Sequence, residues 1–216
     1  MAGEGGNGCP LGGALVLGIG NVLWADEGFG VRAVEALHAA YALPEAVELL
    51  DGGTQGLNLL EPVVSRGAVL VFDAIDFGLQ PGSLRVLRDR EVPAWAGTKM
   101  SLHQQSFQEL LAVADLQGRF PPKLTLIGVQ PERLSDFGGS LSGCVRERLP
   151  LAVELAALEL AQWGFPAEPR SGDAPERLNA APLALQEYES GRPAADEACR
   201  IGDARFLNRR HDLESR

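Results

Sequence analysis

An α/β protein, built on a sheet with helices on both faces, is the expectation for this chain of 216 residues, and two observations carry it. Short apolar runs alternate with stretches whose apolar residues recur at helical spacing, so strands and helices follow one another. The runs are also apolar throughout instead of alternating with polar residues, which is how strands buried on both faces of a parallel sheet read.

Each element can be justified in order. Ala14–Ile19 is a continuous apolar run after glycines and is expected as the first strand. Val31, Val34, Leu37 and Tyr41 then recur at helical spacing. Val47–Leu50 is a second strand, ended by Asp51-Gly52-Gly53. Leu57, Leu60 and Val64 share one face of a helix over 57–64. Ala68–Phe72 is a third strand with Asp73 at its carboxyl end. Pro81-Gly82 marks a turn, and Leu84, Val86 and Arg88 alternate with Arg85 and Leu87 as in a strand. His103 to Ala114 is expected to be helical, with Phe107, Leu110, Leu111 and Ala114 on one face. Leu124–Val129 is a further strand. Val145 to Trp163 is expected to be one long helix, stopped by Gly164 with Pro166 just beyond.

The pattern divides the chain into a Gly-rich, flexible N-terminus (1–13), a folded domain (14–165) and a mostly disordered tail (166–216). The tail holds five of the 14 prolines and eight arginines against ten acidic residues. It shows no apolar periodicity beyond Leu183 to Leu185. Its removal, over residues 170–216, is expected to preserve activity.

Composition narrows the function. A net charge of −10 argues against nucleic acid, whose phosphates need a basic footprint, and against an anionic membrane surface. No stretch approaches the ~20 apolar residues of a membrane-spanning helix. Cys9, Cys144 and Cys199 are dispersed and odd in number, which fits no disulfide framework and favours the cytoplasm.

Ligands of an open α/β sheet bind beyond the carboxyl ends of its strands. Polar residues at those ends are therefore the candidates: Gly18-Ile19-Gly20-Asn21 and Asp26-Glu27-Gly28 after the first strand, Asp51-Gly52-Gly53-Thr54 after the second, Asp73 and Asp76 after the third, and His103 at the start of a helix. Gly18-x-Gly20 is not a dinucleotide fingerprint. Leu23 stands at the third glycine position, and Asp26 and Glu27 occupy the place where a pyrophosphate requires positive potential. Glu27 or Asp26 is also explicable as a helix-start residue, through the dipole or as an N-cap. Asp73 and His103 are explicable as loop-capping and surface residues. His38 and His211 are expected to be solvated. Taken together, two carboxylates and an imidazole make a set suited to a borderline divalent ion with open positions, or to acid/base hydrolysis by paired carboxylates. There is no GxSxG nucleophile motif.

Leu17-Gly18-Ile19-Gly20-Asn21-Val22-Leu23-Trp24-Ala25-Asp26-Glu27-Gly28-Phe29-Gly30-Val31 resembles the signature of the [NiFe]-hydrogenase maturation endopeptidases. So do Leu50-Asp51-Gly52-Gly53-Thr54, Val71-Phe72-Asp73-Ala74, Lys99-Met100-Ser101-Leu102-His103-Gln104 and Leu124–Pro131, in order over about residues 14–165. The chain is most similar to the branch serving uptake hydrogenases. The resemblance implies a three-layer α/β/α sandwich with a twisted, mostly parallel sheet. It implies an endopeptidase, grouped with aspartic-type enzymes, that removes the C-terminal extension from the nickel-loaded precursor of the hydrogenase large subunit. It also implies a metal set of Glu27, Asp73 and His103, with the nickel contributed by the substrate, no organic cofactor, and Asp51 as a further candidate for orienting substrate or a water. A nickel-binding chaperone that holds the precursor without cutting it is the alternative, and a general metal-dependent peptidase a related one.

Overall fold

The structure, a computed structural model, describes residues 12–94, 102–171 and 175–191, apart from the side chains of residues 102–105. Strand β1 (Ala14–Ile19) is buried along its whole length. A 3-10 turn (Ala25–Gly28) leads into α1 (Phe29–Ala40), followed by the short strand β2 (Tyr41–Ala42) and by β3 (Val47–Gly53). A second 3-10 turn (Gly56–Leu59) runs into α2 (Leu60–Val64), and then come β4 (Ala68–Ala74), β5 (Leu84–Arg88), α3 (Glu91–Ala94) and α4 (Leu102–Leu116). The order closes with β6 (Lys123–Val129), α5 (Gly143–Arg146), α6 (Leu149–Gln162), β7 (Glu168–Pro169), a 3-10 turn (Ala181–Leu183) and α7 (Leu185–Ser190).

The main sheet has the order β3-β1-β4-β6-β5. Its first four strands are parallel and β5 runs antiparallel to β6. Alternate residues of the buried strands serve two cores. Val16, Leu70, Phe72 and Ile127 pack with α1 and α6 on one face. Leu17, Val69, Val71 and Leu124 pack with α2 and α4 on the other. Each fully buried Leu or Phe contributes about 1.5–3 kcal/mol relative to exposure. The expected three-layer α/β/α sandwich with a mostly parallel sheet is the fold observed.

This order creates a crevice. From β1 the chain crosses one face through α1 to reach β3. From β3 it crosses the opposite face through α2 to reach β4, on the other side of β1. The two connections diverge between the carboxyl ends of β1 and β4, the switch point where open α/β sheets bind ligands.

Three expectations need correction. The helix expected over 145–163 is two helices, because Pro150 has no N–H to donate to the Arg146 carbonyl and sits instead in the first turn of α6. The helix over 57–64 is a 3-10 turn joined to α2, since Pro62 likewise cannot continue the ladder back to Asn58. The tail from 166 is not without structure over its first part. β7 pairs antiparallel with β2, Arg170 N–H donates to the Ala40 carbonyl at 2.8 Å, and residues 175–191 lie along α1.

That returning segment is held by polar contacts, which is why apolar periodicity does not reveal it. Arg32 on α1, 3% exposed, pairs with Glu35 and donates to the Leu183 carbonyl. Its guanidinium also lies 5.7 Å from the centre of the Tyr188 ring. Asn179 donates to Glu35 at 3.0 Å, and Arg146 pairs with Glu189. His38, expected to be solvated, contacts the Glu176 carbonyl at 2.8 Å. Residues 1–11 and 192–216, including His211, lie outside the described residues. Among the described residues no helix is long and apolar enough to cross a membrane.

Candidate active site

Glu27 lies in the 3-10 turn that follows β1, and it is half-buried. The turn is tight for local reasons. Asn21 accepts the Leu23 N–H on its side chain at 3.0 Å, Trp24 N–H donates to the Asn21 carbonyl at 3.0 Å, and Glu27 N–H to the Trp24 carbonyl at 3.0 Å. Gly20 has φ +132, and a Cβ there would stand 1.8 Å from the Glu27 carbonyl oxygen. Only glycine allows the turn to fold back onto the end of β1 in this way. Ala25 takes up a left-handed φ of +46 in the same turn, which is uncommon for a residue other than glycine.

Asp73 is 2% exposed and is the last residue but one of β4, opposite Gly128 of β6. It shares the pleat face of Val69 and Val71, the face that α4 covers. The turn bearing Glu27 packs against β4, so the carboxyl ends of β1 and β4 bring Glu27 and Asp73 to one edge of the sheet.

The first turn of α4 carries His103, whose side chain lies outside the described residues. The backbone places that turn at the same edge. Ser106, one turn further along α4, adjoins Gly56 just after β3, and Phe107 lies with Ile19 and Gly53 around one small recess. Among the described side chains no three His, Cys, Asp or Glu form a metal-sized cluster. The O,O pair of Glu27 and Asp73 suits a borderline divalent ion that keeps other ligands of its own.

Asp51 is turned the other way. It shares the pleat face of Val47 and Leu49, toward α1, and accepts the Gly53 N–H at 2.9 Å. Burial pushes its carboxyl above the ordinary 3.8, partly offset by hydrogen bonds from Gly53 N–H and the Asn179 side chain. Glu35 raises it further and Arg32 lowers it, both through charge. Asp51 therefore shapes its own loop and meets the returning segment.

Two buried polar residues at this edge have partners that sequence reasoning missed. Asp26 is fully buried and is not the N-cap of α1, which has no side-chain cap. One of its carboxylate oxygens accepts the Glu132 N–H at 2.9 Å, the Arg133 N–H at 2.8 Å and the Ser142 hydroxyl at 3.0 Å; the other accepts the Ser142 N–H at 2.6 Å. Gln130, 6% exposed at the end of β6, accepts the N–H groups of Phe77 at 2.7 Å and Leu79 at 3.1 Å and donates to Asp76 at 3.1 Å. Nothing in residue type or spacing announces these bonds, since their partners are mostly backbone groups of distant loops.

A cavity of about 350 Å³ lies away from this edge, between α1 and the returning segment, where Arg32, Glu35 and Leu185 line it. It is the seam between two packed elements, and its Arg32 and Glu35 are already paired with each other.

Comparison with known proteins bears on the chemistry of this edge. Residues 31–159 match the family model of the hydrogenase maturation proteases. The hydrogenase expression/formation protein HoxM of Azotobacter vinelandii is 56% identical over 194 residues, covering 89% of this chain and 93% of its own length. The hydrogenase 2 maturation protease of Escherichia coli (strain K12) is 44% identical over 157 residues, 72% of this chain and 95% of its own. Among solved structures, the hydrogenase maturating endopeptidase HYBD from E. coli superposes with a TM-score of 0.70 at 43% identity, covering 73% of this chain and 98% of its own. A family match over more than half of the chain, joined to identities of this size over most of its length, makes the chain a member of the hydrogenase maturation protease family.

Proposed function

We propose that this peptidase removes the C-terminal extension from the nickel-loaded precursor of a [NiFe]-hydrogenase large subunit, and that the nickel carried by the precursor is what it recognises. The observation that carries the reading is the convergence of Glu27 and Asp73 at the β1–β4 switch point, with the first turn of α4, and hence His103, at the same edge. Their side chains are the ones to complete the coordination of an incoming ion, so that only a loaded precursor docks productively. Such recognition does not depend on reading a peptide sequence, which explains how a peptidase can spare other proteins. A divalent ion at this place also supplies Lewis-acid polarisation of a nearby carbonyl. Glu27 and Asp73 hold the substrate's ion, and the sheet edge around them orients the chain that follows it. Asp51, facing α1, shapes the Gly52–Thr54 loop. The reaction is assigned to the cytoplasm, in keeping with three dispersed cysteines.

The test is incubation of the purified full chain with nickel-loaded and nickel-free precursor, followed by mass spectrometry. The expected result is a mass loss equal to the extension from the loaded form alone. His103→Ala should remain folded and leave the precursor uncut. Processing of the nickel-free form at the wild-type rate would refute recognition through nickel. Complex formation without any mass change would identify a chaperone instead, and cutting of unrelated peptides a general peptidase.

A further inference from the structure

We infer that Asp26 and Gln130 are positioning residues of the site, and that the segment Gln130–Ser142 they bind sets the separation of Glu27 and Asp73. The inference rests on the reading of those two carboxylates as the pair that meets the precursor's nickel.

The segment touches both halves of the site. At its start, the Gln130 side chain holds the loop that follows Asp73. Its Oε1 accepts from Phe77 and Leu79, and its Nε2 donates to Asp76. Its backbone is fixed as well, since Gln130 N–H donates to the Ser83 carbonyl and Gly82 N–H to the Gln130 carbonyl, each at 2.8 Å. Two residues on, and again at the far end, the segment is fastened to Asp26, the neighbour of Glu27. The Asp26 carboxylate receives Glu132, Arg133 and Ser142, and its N–H donates to the Arg133 carbonyl at 3.1 Å. Between these ties Gly138 N–H donates to the Leu23 carbonyl at 2.7 Å. Phe137 stands edge-on to Trp24 with ring centres 5.3 Å apart.

The choice of residue type is informative. A fully buried carboxylate is costly unless its oxygens are satisfied. Asp26 is satisfied by three backbone N–H groups and a hydroxyl, so it serves as a rigid multi-point acceptor. Ser142 precedes α5 but gives its hydroxyl to Asp26 and makes no side-chain cap for the helix. A loop fixed only for its own stability has no need of ties on both sides of the site. These join the segment to the turn that bears Glu27 and to the loop that follows Asp73, and partners beyond the ligands are what set ligand geometry at metal sites.

The experiment uses the full chain and three variants, Gln130→Met, Asp26→Asn and Glu27→Gln. Met keeps the volume and burial at 130 while removing the amide's bonds. Hydrogen–deuterium exchange of the precursor-free protein and steady-state processing of loaded precursor are both measured. Gln130→Met is expected to speed exchange not only at 76–79 but also across the segment, in the Ala25–Gly28 turn. It is expected to raise KM for loaded precursor by about 10–100-fold, with a smaller fall in kcat and a cooperative melt lowered by only a few degrees. Exchange that changes at 76–79 alone, with KM unchanged, would overturn the inference even if Asp26→Asn does not fold. Loss of processing in Glu27→Gln beside wild-type kinetics in Gln130→Met would reject the positioning role and leave the nickel reading standing. Wild-type processing by Glu27→Gln would remove both.

Discussion

Glu159 is a residue whose worth is set by its partners. It is 5% exposed on α6 and receives a two-pronged bond from Arg88 of β5, Nε to Oε1 at 3.1 Å and Nη2 to Oε2 at 2.8 Å. The Thr125 hydroxyl of β6 adds a third bond at 2.8 Å. Burial by itself raises the Glu159 pKa, but the Arg88 and Thr125 bonds outweigh it and hold the carboxyl below the ordinary 4.5. The folded-state pKa thus lies below the unfolded one. The stabilisation is present above about pH 4.5 and is lost as pH falls through the lower, folded value. Glu159→Gln should cost about 1.5–3 kcal/mol at pH 7, and the gap to wild type should narrow below pH ~4.5; urea titrations at the two pH values measure it. Glu159, like Asp26 and Gln130, is silent in the sequence. The place of Glu27 and Asp73 at the sheet edge is legible because they follow apolar runs, where strand ends can be located. Asp26 is adjacent to Glu27 and equally acidic, and only its distant backbone partners set it apart.

At the scale of elements, the strands are the most legible, since β1, β4 and β6 are buried on both faces and read as largely apolar runs. Helix limits were less so, because single prolines at 62 and 150 decide them and apolar spacing continues across both. The junction of β1 with α1 shows how closely two elements approach. A Cβ at Gly30 would stand 2.2 Å from the Ile19 carbonyl oxygen and 2.3 Å from that of Phe72, and neither backbone atom has room to yield. Gly30→Ala should cost more than about 4 kcal/mol and give little soluble protein. Gly143 in α5 is the control. Nothing lies within 4 Å of its added Cβ, and Gly143→Ala should be neutral or stabilising by about 0.4–1 kcal/mol. Thermal melts of the two variants would check both.

For the whole molecule, the match to the A. vinelandii relative spans 89% of the chain, which is enough to include residues 175–191. The E. coli solved structure is covered almost completely by 73% of the chain, so it has room for the sandwich but not for the returning segment as well. Loss of 170–216, expected to preserve activity, should still cost stability, because polar contacts hold residues 175–191 to α1 and α5. A chain ending at Gly191 should melt close to wild type. One ending at Arg170 gives up the Leu183, Asn179 and Glu189 contacts to Arg32, Glu35 and Arg146. It should lose more than about 1 kcal/mol, or about 2–4 °C in melting temperature, by calorimetry. The return of this segment onto α1 also fixes an order of events during synthesis. Chains emerge and fold from the N-terminus, so α1 is in place with the Arg32 guanidinium in water while residues 175–191 are still being made. The last described stretch to leave the ribosome is the one that takes this charge out of solvent. A nascent or prematurely ended chain therefore leaves the Arg32–Glu35 pair facing solvent, where the finished molecule covers it.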